Sequence, residues 1–392
     1  MNLIPKVNPP LRELVLCSLE PWDEVWRRNQ LLVTKLLALE PSLSILFVEP
    51  AVDATFELLS RHHLRHGRGL RPPDRCSLQM RISTYEPTKW LPRTAGVLAD
   101  HVLTRSVERA ARAVGFERPL LWINNLALAT LASSTGWPTV YDVTDDWLLA
   151  SCTERERLRR IRDEALLMSR ANEVVACSPA LVKTKGRYRS VTLITNGVDL
   201  DWIRAPTSRP PDMPIGFVAC YVGTLHDDRV DVDLCVDTGA RLDGKGSLLL
   251  VGPDNLSMES RRRLENRKNI VLLGARPHSA IPSYLQHADV LVVPHRRTPF
   301  TESLDPIKAY EYRAVGRPIV TTSVAGFREL GSPVVVADGA SFADAVLASV
   351  RGQPPPPSLL ELPDDLPTWD ILAQQMRDVL VRLSCQSASL RM

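Results

Sequence analysis

The chain has 392 residues, 44% of them apolar and 24% charged, a composition that excludes collagen-like, coiled-coil and wholly disordered classes and leaves length for two compact domains. Its 48 basic and 45 acidic residues leave a formal net charge of +3, too near balance to advertise nucleic-acid binding by the whole chain. The opening MNLIPKVNPPLRELVLC carries no secretion-type apolar segment, and seven scattered cysteines never take a C-x-x-C spacing, so a cytoplasmic protein without a disulfide framework or structural zinc is expected.

In chain order, β-rich runs at 14–19 (LVLCSL), 44–50 (SILFVEP), 120–124 (LLWIN), 139–143 (TVYDV) and 173–178 (EVVACS) alternate with segments 26–39, 95–114 and 154–170, whose apolar residues recur at three and four. That alternation predicts an α/β domain with a doubly wound parallel sheet. From residue 194 the pattern breaks into turn formers and prolines, which places a first domain over 1–200 and a linker over 201–214. Six continuously apolar runs follow at 217–223, 247–252, 269–274, 289–294, 318–322 and 333–338, predicting a second α/β domain over 215–352 with strands covered on both faces. A proline-rich crossover over 353–367 then leads to a last helix at 368–384.

Sharp chemistry is concentrated in TESLDPIKAYEYRAVGRPIVTT (301–322). Asp305 suits a helix cap, Pro306 the first helical position, Gly316 the end, and Pro318 prevents continuation. Lys308 and Glu311, three apart, share one helix face near its start. A cation at a helix N-terminus suits a phosphate, and a carboxylate one turn deeper suits a pair of ribose hydroxyls. An ordinary solvated Lys–Glu pair is the alternative.

The ordered pieces VWRRNQLL (25–32), VYDVTDDW (140–147), VVACSPAL (174–181), ITNGVDL (194–200), YVGTL (221–225), LLLVGP (248–253), IPSYLQHADV (281–290), DPIKAYEY (305–312) and GRPIVTT (316–322) resemble the retaining family-four glycosyltransferases. The likeness is greatest to their cell-surface-polysaccharide, teichuronic-acid-type branch. It implies the GT-B fold, two Rossmann-like domains facing a central cleft, with the donor nucleotide held by the C-terminal domain. It further implies transfer from a UDP-, GDP- or dTDP-sugar to a hydroxyl or amine of a glycan, lipid-linked or small-molecule acceptor, with retention and no metal or other cofactor. A same-fold nucleotide-sugar epimerase and a catalytically silent binding protein are the alternatives.

Residue by residue, the resemblance assigns Glu311 to the donor ribose. The first glutamate of the family's Glu-x7-Glu pair falls on Ser303, and its Gly-Phe-Gly turn on Leu304, Asp305 and Pro306. Gly223, Thr224, Gly252 and Arg276 join the donor site. Thr224 stands where the family has an arginine, whereas Arg229 keeps the family's second cation, so Arg229 and Lys308 are expected to stabilise the diphosphate leaving group. An ion pair of Arg229 with Asp227 or Asp231 is the competing reading.

On the acceptor side, Asp145 and Asp146 are expected to bind an acceptor hydroxyl or sugar amine, unless they cap a helix. Trp22, Tyr141 and Trp147 are expected beside the sugar. Residues 61–75, from Arg61 to Arg75, concentrate basic side chains that could meet an anionic acceptor or the inner leaflet; a solvated loop is the alternative. Asp231-Val232-Asp233 reads as helix-start chemistry rather than a metal motif, and no G-x-G-x-x-G follows a strand.

Overall fold

The computed structural model describes residues 10–54, 66–73, 81–91, 96–331, 334–349, 361–363 and 365–389. The chain divides into two compact units, one of residues 1–194 with 370–392 and one of residues 195–369. Each is built on its own parallel sheet.

In the first unit the sheet order is Thr192–Leu193, Glu173–Ala176, Thr139–Val143, Leu120–Ile123, Glu13–Cys17, Ser44–Val48, Ile82–Glu86, Gly69–Arg71. Every neighbour pair is parallel except the last. The apolar runs become central strands because helices cover both faces: Leu120–Ile123 and Thr139–Val143 are buried along their whole length. The penultimate strand Ile82–Glu86 alternates buried and half-buried residues instead. Its partner Gly69–Arg71 lies inside the basic run, where Arg71 donates to both oxygens of buried Glu49 (3.0 and 2.8 Å) and Arg68 pairs with Glu86 at 3.0 Å. These two arginines are committed to the fold, while residues 61–65, 74 and 75 lie outside the described residues.

The second unit orders its strands Ile270–Gly274, Gly246–Val251, Phe217–Val222, Val290–Val293, Ile319–Thr321, Val334–Val336, all parallel. Chain order runs outward in both directions from Phe217–Val222, so the switch point lies between that strand and Val290–Val293. In an open α/β sheet this is where the two adjacent loops separate and leave room for a ligand.

Residues 201–214 are not a linker. Asp199 caps the helix Leu200–Arg204, and Ile203 and Met213 are buried in the core of the second unit. Arg276, expected at the donor, is spent on the same segment: it pairs with Asp212 at 2.8 Å and donates to the Tyr284 hydroxyl at 3.1 Å. The boundary therefore falls after Ile194. Where the chain enters and leaves the second unit, Val198 and Thr368 form a parallel bridge, with Val198 N donating to Pro367 O (3.0 Å) and Trp369 N to Val198 O (3.1 Å). The last helix, Trp369–Ser389, joins the first unit from Asp370 onward. Its Leu372, Met376, Val379, Leu380 and Leu383 are buried, and Lys35 pairs with Asp370 at 3.0 Å. Residues 353–360 and 364 of the expected crossover lie outside the described residues.

Candidate functional site

Two adjacent strands of the second unit, Phe217–Val222 and Gly246–Val251, are each followed by a glycine, and each glycine is required by a close approach. Gly252 has φ 146°, and a Cβ there would stand 2.1 Å from the Gly223 carbonyl oxygen. Gly223 has φ 154°, and a Cβ there would lie 2.7 Å from Lys308 Nζ and 2.9 Å from the Tyr221 hydroxyl. The missing side chains let the two turns close against each other and let Lys308 reach the strand end.

Lys308 occupies the first turn of the helix Ile307–Val315, which ends at Gly316 in the left-handed region, φ 74°. Its Nζ donates to the Tyr221 hydroxyl at 3.0 Å, lies 4.4 Å from the Tyr221 ring centroid, and stands 3.5 Å from His295 Nε2. Tyr221 and His295 are themselves joined at 3.0 Å. Tyr221 belongs to the strand on one side of the switch point and His295 follows the strand on the other, so Lys308 sits at the crevice between them. Burial and nearby Arg229 lower Lys308 to about 7, against the opposing pull of Glu311. Glu311, one turn along the helix, is pushed up to about 7 by burial although Lys308 works the other way. Burial, Lys308 and Arg229 keep His295 neutral, well below the ordinary histidine range.

Arg229 reaches this crevice through the backbone. Arg296 N donates to its carbonyl at 2.7 Å, Asp231 N donates to Pro294 O at 2.8 Å, and Val230 bridges His295. Its guanidinium lies 5.2 Å from the Phe300 ring centroid. The competing ion pairs are absent among the described residues. Asp227 accepts from Ser257 N at 2.7 Å, and Asp231 caps the Val232–Leu242 helix through Leu234 N at 3.1 Å.

Several expected site residues do other work. Asp305 is not the cap: Pro306 is, without a side-chain bond, and Ile307 is the first helical residue. The Asp305 carboxylate accepts from Asn196 N and, at 2.6 Å, from the Tyr310 hydroxyl, while its carbonyl accepts from Asn196 Nδ2. Pro306 packs on Gly326, whose absent Cβ would meet Pro306 Cδ at 2.6 Å. Ser303 is buried and donates to Phe300 O at 2.7 Å, a direction that serves its own turn. Thr224 is half-buried, its carbonyl 3.4 Å from the Tyr221 hydroxyl.

In the first unit, Trp22 is buried in edge contact with Phe47, centroids 5.0 Å apart, and Tyr141 is buried in the strand core, so neither offers a ring face. Asp146 is buried and bonded at 3.1 Å to Lys185, which also reaches Glu164 at 2.6 Å. Asp145 is half-buried in the adjoining loop. Trp147 lines a cavity of about 780 Å³ at the carboxyl ends of the strands. Sequence reasoning missed Tyr221, His295 and Asn196. The available signal for the first two was their position at the carboxyl ends of strands flanking the reversal in strand order. No cluster of three His, Cys, Asp or Glu that could hold a metal occurs among the described residues.

Two basic side chains, a helix N-terminus without a side-chain cap, and side-chain-free glycine backbone thus converge on one crevice, with a carboxylate a turn deeper. Such an arrangement has the chemistry to accept an anionic group at the helix start and hydroxyl donors at the carboxylate.

Residues 216–351 match the family model "Glycosyl transferases group 1". TuaH of Bacillus subtilis (strain 168), which bears the name of a teichuronic acid biosynthesis glycosyltransferase, is 25% identical over 238 residues, 56% of this chain and 59% of its own length. The chain thus matches little more than half of that relative. Among solved structures, the catalytic domain of starch synthase IV from Arabidopsis thaliana, bound to ADP and acarbose, superposes with a TM-score of 0.62 at 10% identity, covering 96% of this chain and 99% of that one. A UDP-forming trehalose-phosphate synthase from Burkholderia xenovorans, in complex with glucose-6-phosphate, gives 0.60 at 11% identity over 94% and 100%. The chain has the GT-B fold with two Rossmann-like units, and the match to the glycosyl transferases group 1 model falls within the second of them.

Proposed function

We propose that the protein transfers a sugar from a nucleoside-diphosphate sugar to a hydroxyl or amine of a glycan, lipid-linked or small-molecule acceptor, with retention of anomeric configuration. The observation that carries this reading is the convergence of Lys308, Arg229 and the Gly223 backbone at the switch point of the second unit, with Glu311 one turn further on. The family match over 216–351 supports it. In this reading the diphosphate lies at the start of the Ile307–Val315 helix, and Glu311 accepts two hydroxyl hydrogen bonds from the ribose. Arg229 and Lys308 stabilise the charge that grows on the leaving diphosphate as the sugar bond breaks; fixed cations in a water-poor site are an effective means of doing so. The departing phosphate takes the acceptor proton, so no protein nucleophile is needed. Tyr221 and His295, both uncharged, aim the lysine without competing for its charge.

Calorimetric titration with UDP, GDP and dTDP tests the site. Lys308→Ala and Glu311→Ala should each weaken the preferred nucleotide by about tenfold or more, the scale of one lost charge-assisted interaction. Unchanged affinity in both variants rejects the assignment. Arg229→Ala should lower turnover at least as strongly as donor affinity. Nucleotide binding without transfer to any acceptor would identify a silent binding protein instead.

A further inference from the structure

Two helices of the first unit carry apolar side chains that stay exposed among the described residues. On Val97–Ala113, the side chains of Leu98, Val102, Arg105 and Arg109 recur at helical spacing and are all exposed, Leu98 by 62%. On Glu154–Arg170, Arg155, Leu158, Ile161 and Arg162 do the same, Leu158 by 56%. The helices are neighbours: Asp100, in the first turn of one, receives Arg159 and, at 2.9 Å, Arg162 of the other. They also share the walls of the 780 Å³ cavity that Trp147 lines. Isolated exposed leucines are ordinary, but apolar side chains gathered on adjoining helix faces mark an interaction surface.

The charges say what kind of surface it meets. Every acidic side chain on these two helices is already in an ion pair: Asp100 and Asp163 with Arg159 and Arg162, Glu108 with Arg112, Glu154 with Arg157, Glu156 with Arg160, and Glu164 with Lys185. Arg105, Arg109 and Arg155 make no ion pair among the described residues. The face therefore offers apolar side chains and a surplus of one sign of charge. A bilayer bearing anionic headgroups complements both.

We propose that this face docks on an anionic lipid bilayer, with Leu98, Val102, Leu158 and Ile161 entering the headgroup boundary and Arg105, Arg109 and Arg155 meeting lipid phosphates. The docking stands apart from the sugar-transfer reading, because it is measured without turnover. It also brings the mouth of the shared cavity to the membrane surface, within reach of a lipid-borne molecule.

The test is co-sedimentation of the full chain with vesicles of phosphatidylcholine alone and of phosphatidylcholine with phosphatidylglycerol. Wild-type protein is expected on the anionic vesicles, with binding that weakens as salt rises. Leu98→Asp with Leu158→Asp should reduce the bound fraction by about tenfold, and so should reversal of Arg105, Arg109 and Arg155 to glutamate. The arginine variant alters exposed positions only, so it keeps the test open if the leucine variant fails to fold. Wild-type protein that stays in the supernatant, or variants that bind like wild type, would overturn the proposal. So would light scattering that shows a dimer dissociated by the leucine changes, since a second copy would then be the occupant. Nucleoside-diphosphate affinity unchanged in the variants separates loss of docking from loss of the donor site.

Discussion

Lys308 and Glu311 are set at the same point on the pH scale from opposite directions. Burial lowers the lysine to about 7 and raises the glutamate to about 7, so in the free protein each is half-committed to its charge at neutral pH. A bound diphosphate favours the ammonium, and bound hydroxyls favour the carboxylate. Above pH 7 binding must therefore place a proton on Lys308, and below pH 7 it must remove one from Glu311. Nucleoside-diphosphate affinity should peak near pH 7 and fall on both sides. Lys308→Arg should abolish the alkaline fall, since a guanidinium stays charged, and Glu311→Gln should flatten the acid side. Calorimetry in buffers of different ionisation enthalpy reads the proton uptake directly; a flat profile from acid to alkaline pH contradicts the coupling. Stability responds with its own sign. The unfolded lysine binds more protons than the folded one above pH 7, so its part of the stability rises with pH there. The folded glutamate binds more between its ordinary value and about 7, so its part falls with pH there. The two contributions give the free protein a dip near pH 7, which the Lys308→Met, Glu311→Gln double variant should remove in denaturant titrations.

At the scale of elements, the helix Ile307–Val315 is placed by what precedes it. Asp305 draws in the Asn196 backbone and the Tyr310 hydroxyl, and Pro306 fills the space left by Gly326. Asp305→Ala removes the acceptors of two hydrogen bonds, one to a backbone amide. A loss of about 3 kcal/mol in unfolding free energy is expected, checked by urea titration. The tight turns are a second case. Gly252→Ala would put a Cβ against the Gly223 carbonyl, with no flexible side chain to yield, so a cost of about 2–4 kcal/mol and weakened nucleotide binding are expected together. These elements also show where sequence reading reaches its limit. The central strands were legible because burial on both faces writes a continuous apolar run; the last two strands of the first sheet, Ile82–Glu86 and Gly69–Arg71, were not, being partly solvated and more polar. Lys308 and Glu311 were legible as a helical pair near a helix start. The role of Asp305 was hidden because its partner Asn196 stands 109 positions away, and local grammar offered the simpler cap. Asp146 and Arg276 misled for the same reason: their countercharges, Lys185 and Asp212, are distant in sequence.

At the scale of the molecule, the second unit is one continuous segment, residues 195–369, whereas the first is assembled from 1–194 and the terminal helix. Residues 195–369 expressed alone should fold cooperatively and bind nucleoside diphosphate with affinity near that of the full chain, by thermal shift and calorimetry. Residues 1–194 without the last helix should not fold stably, because Leu372, Met376, Val379, Leu380 and Leu383 would leave their apolar seats open to water.

The bridge between Val198 and Thr368 bears on how such proteins diversify. Because Val198, near the start of the second unit, and Thr368, near its end, are hydrogen-bonded neighbours, the two ends of this continuous segment are held side by side. A recombination event that replaces the segment between them exchanges the second unit while the first keeps its own strands and its terminal helix. The two units are then inherited as separable cassettes, exchangeable at one pair of neighbouring chain positions.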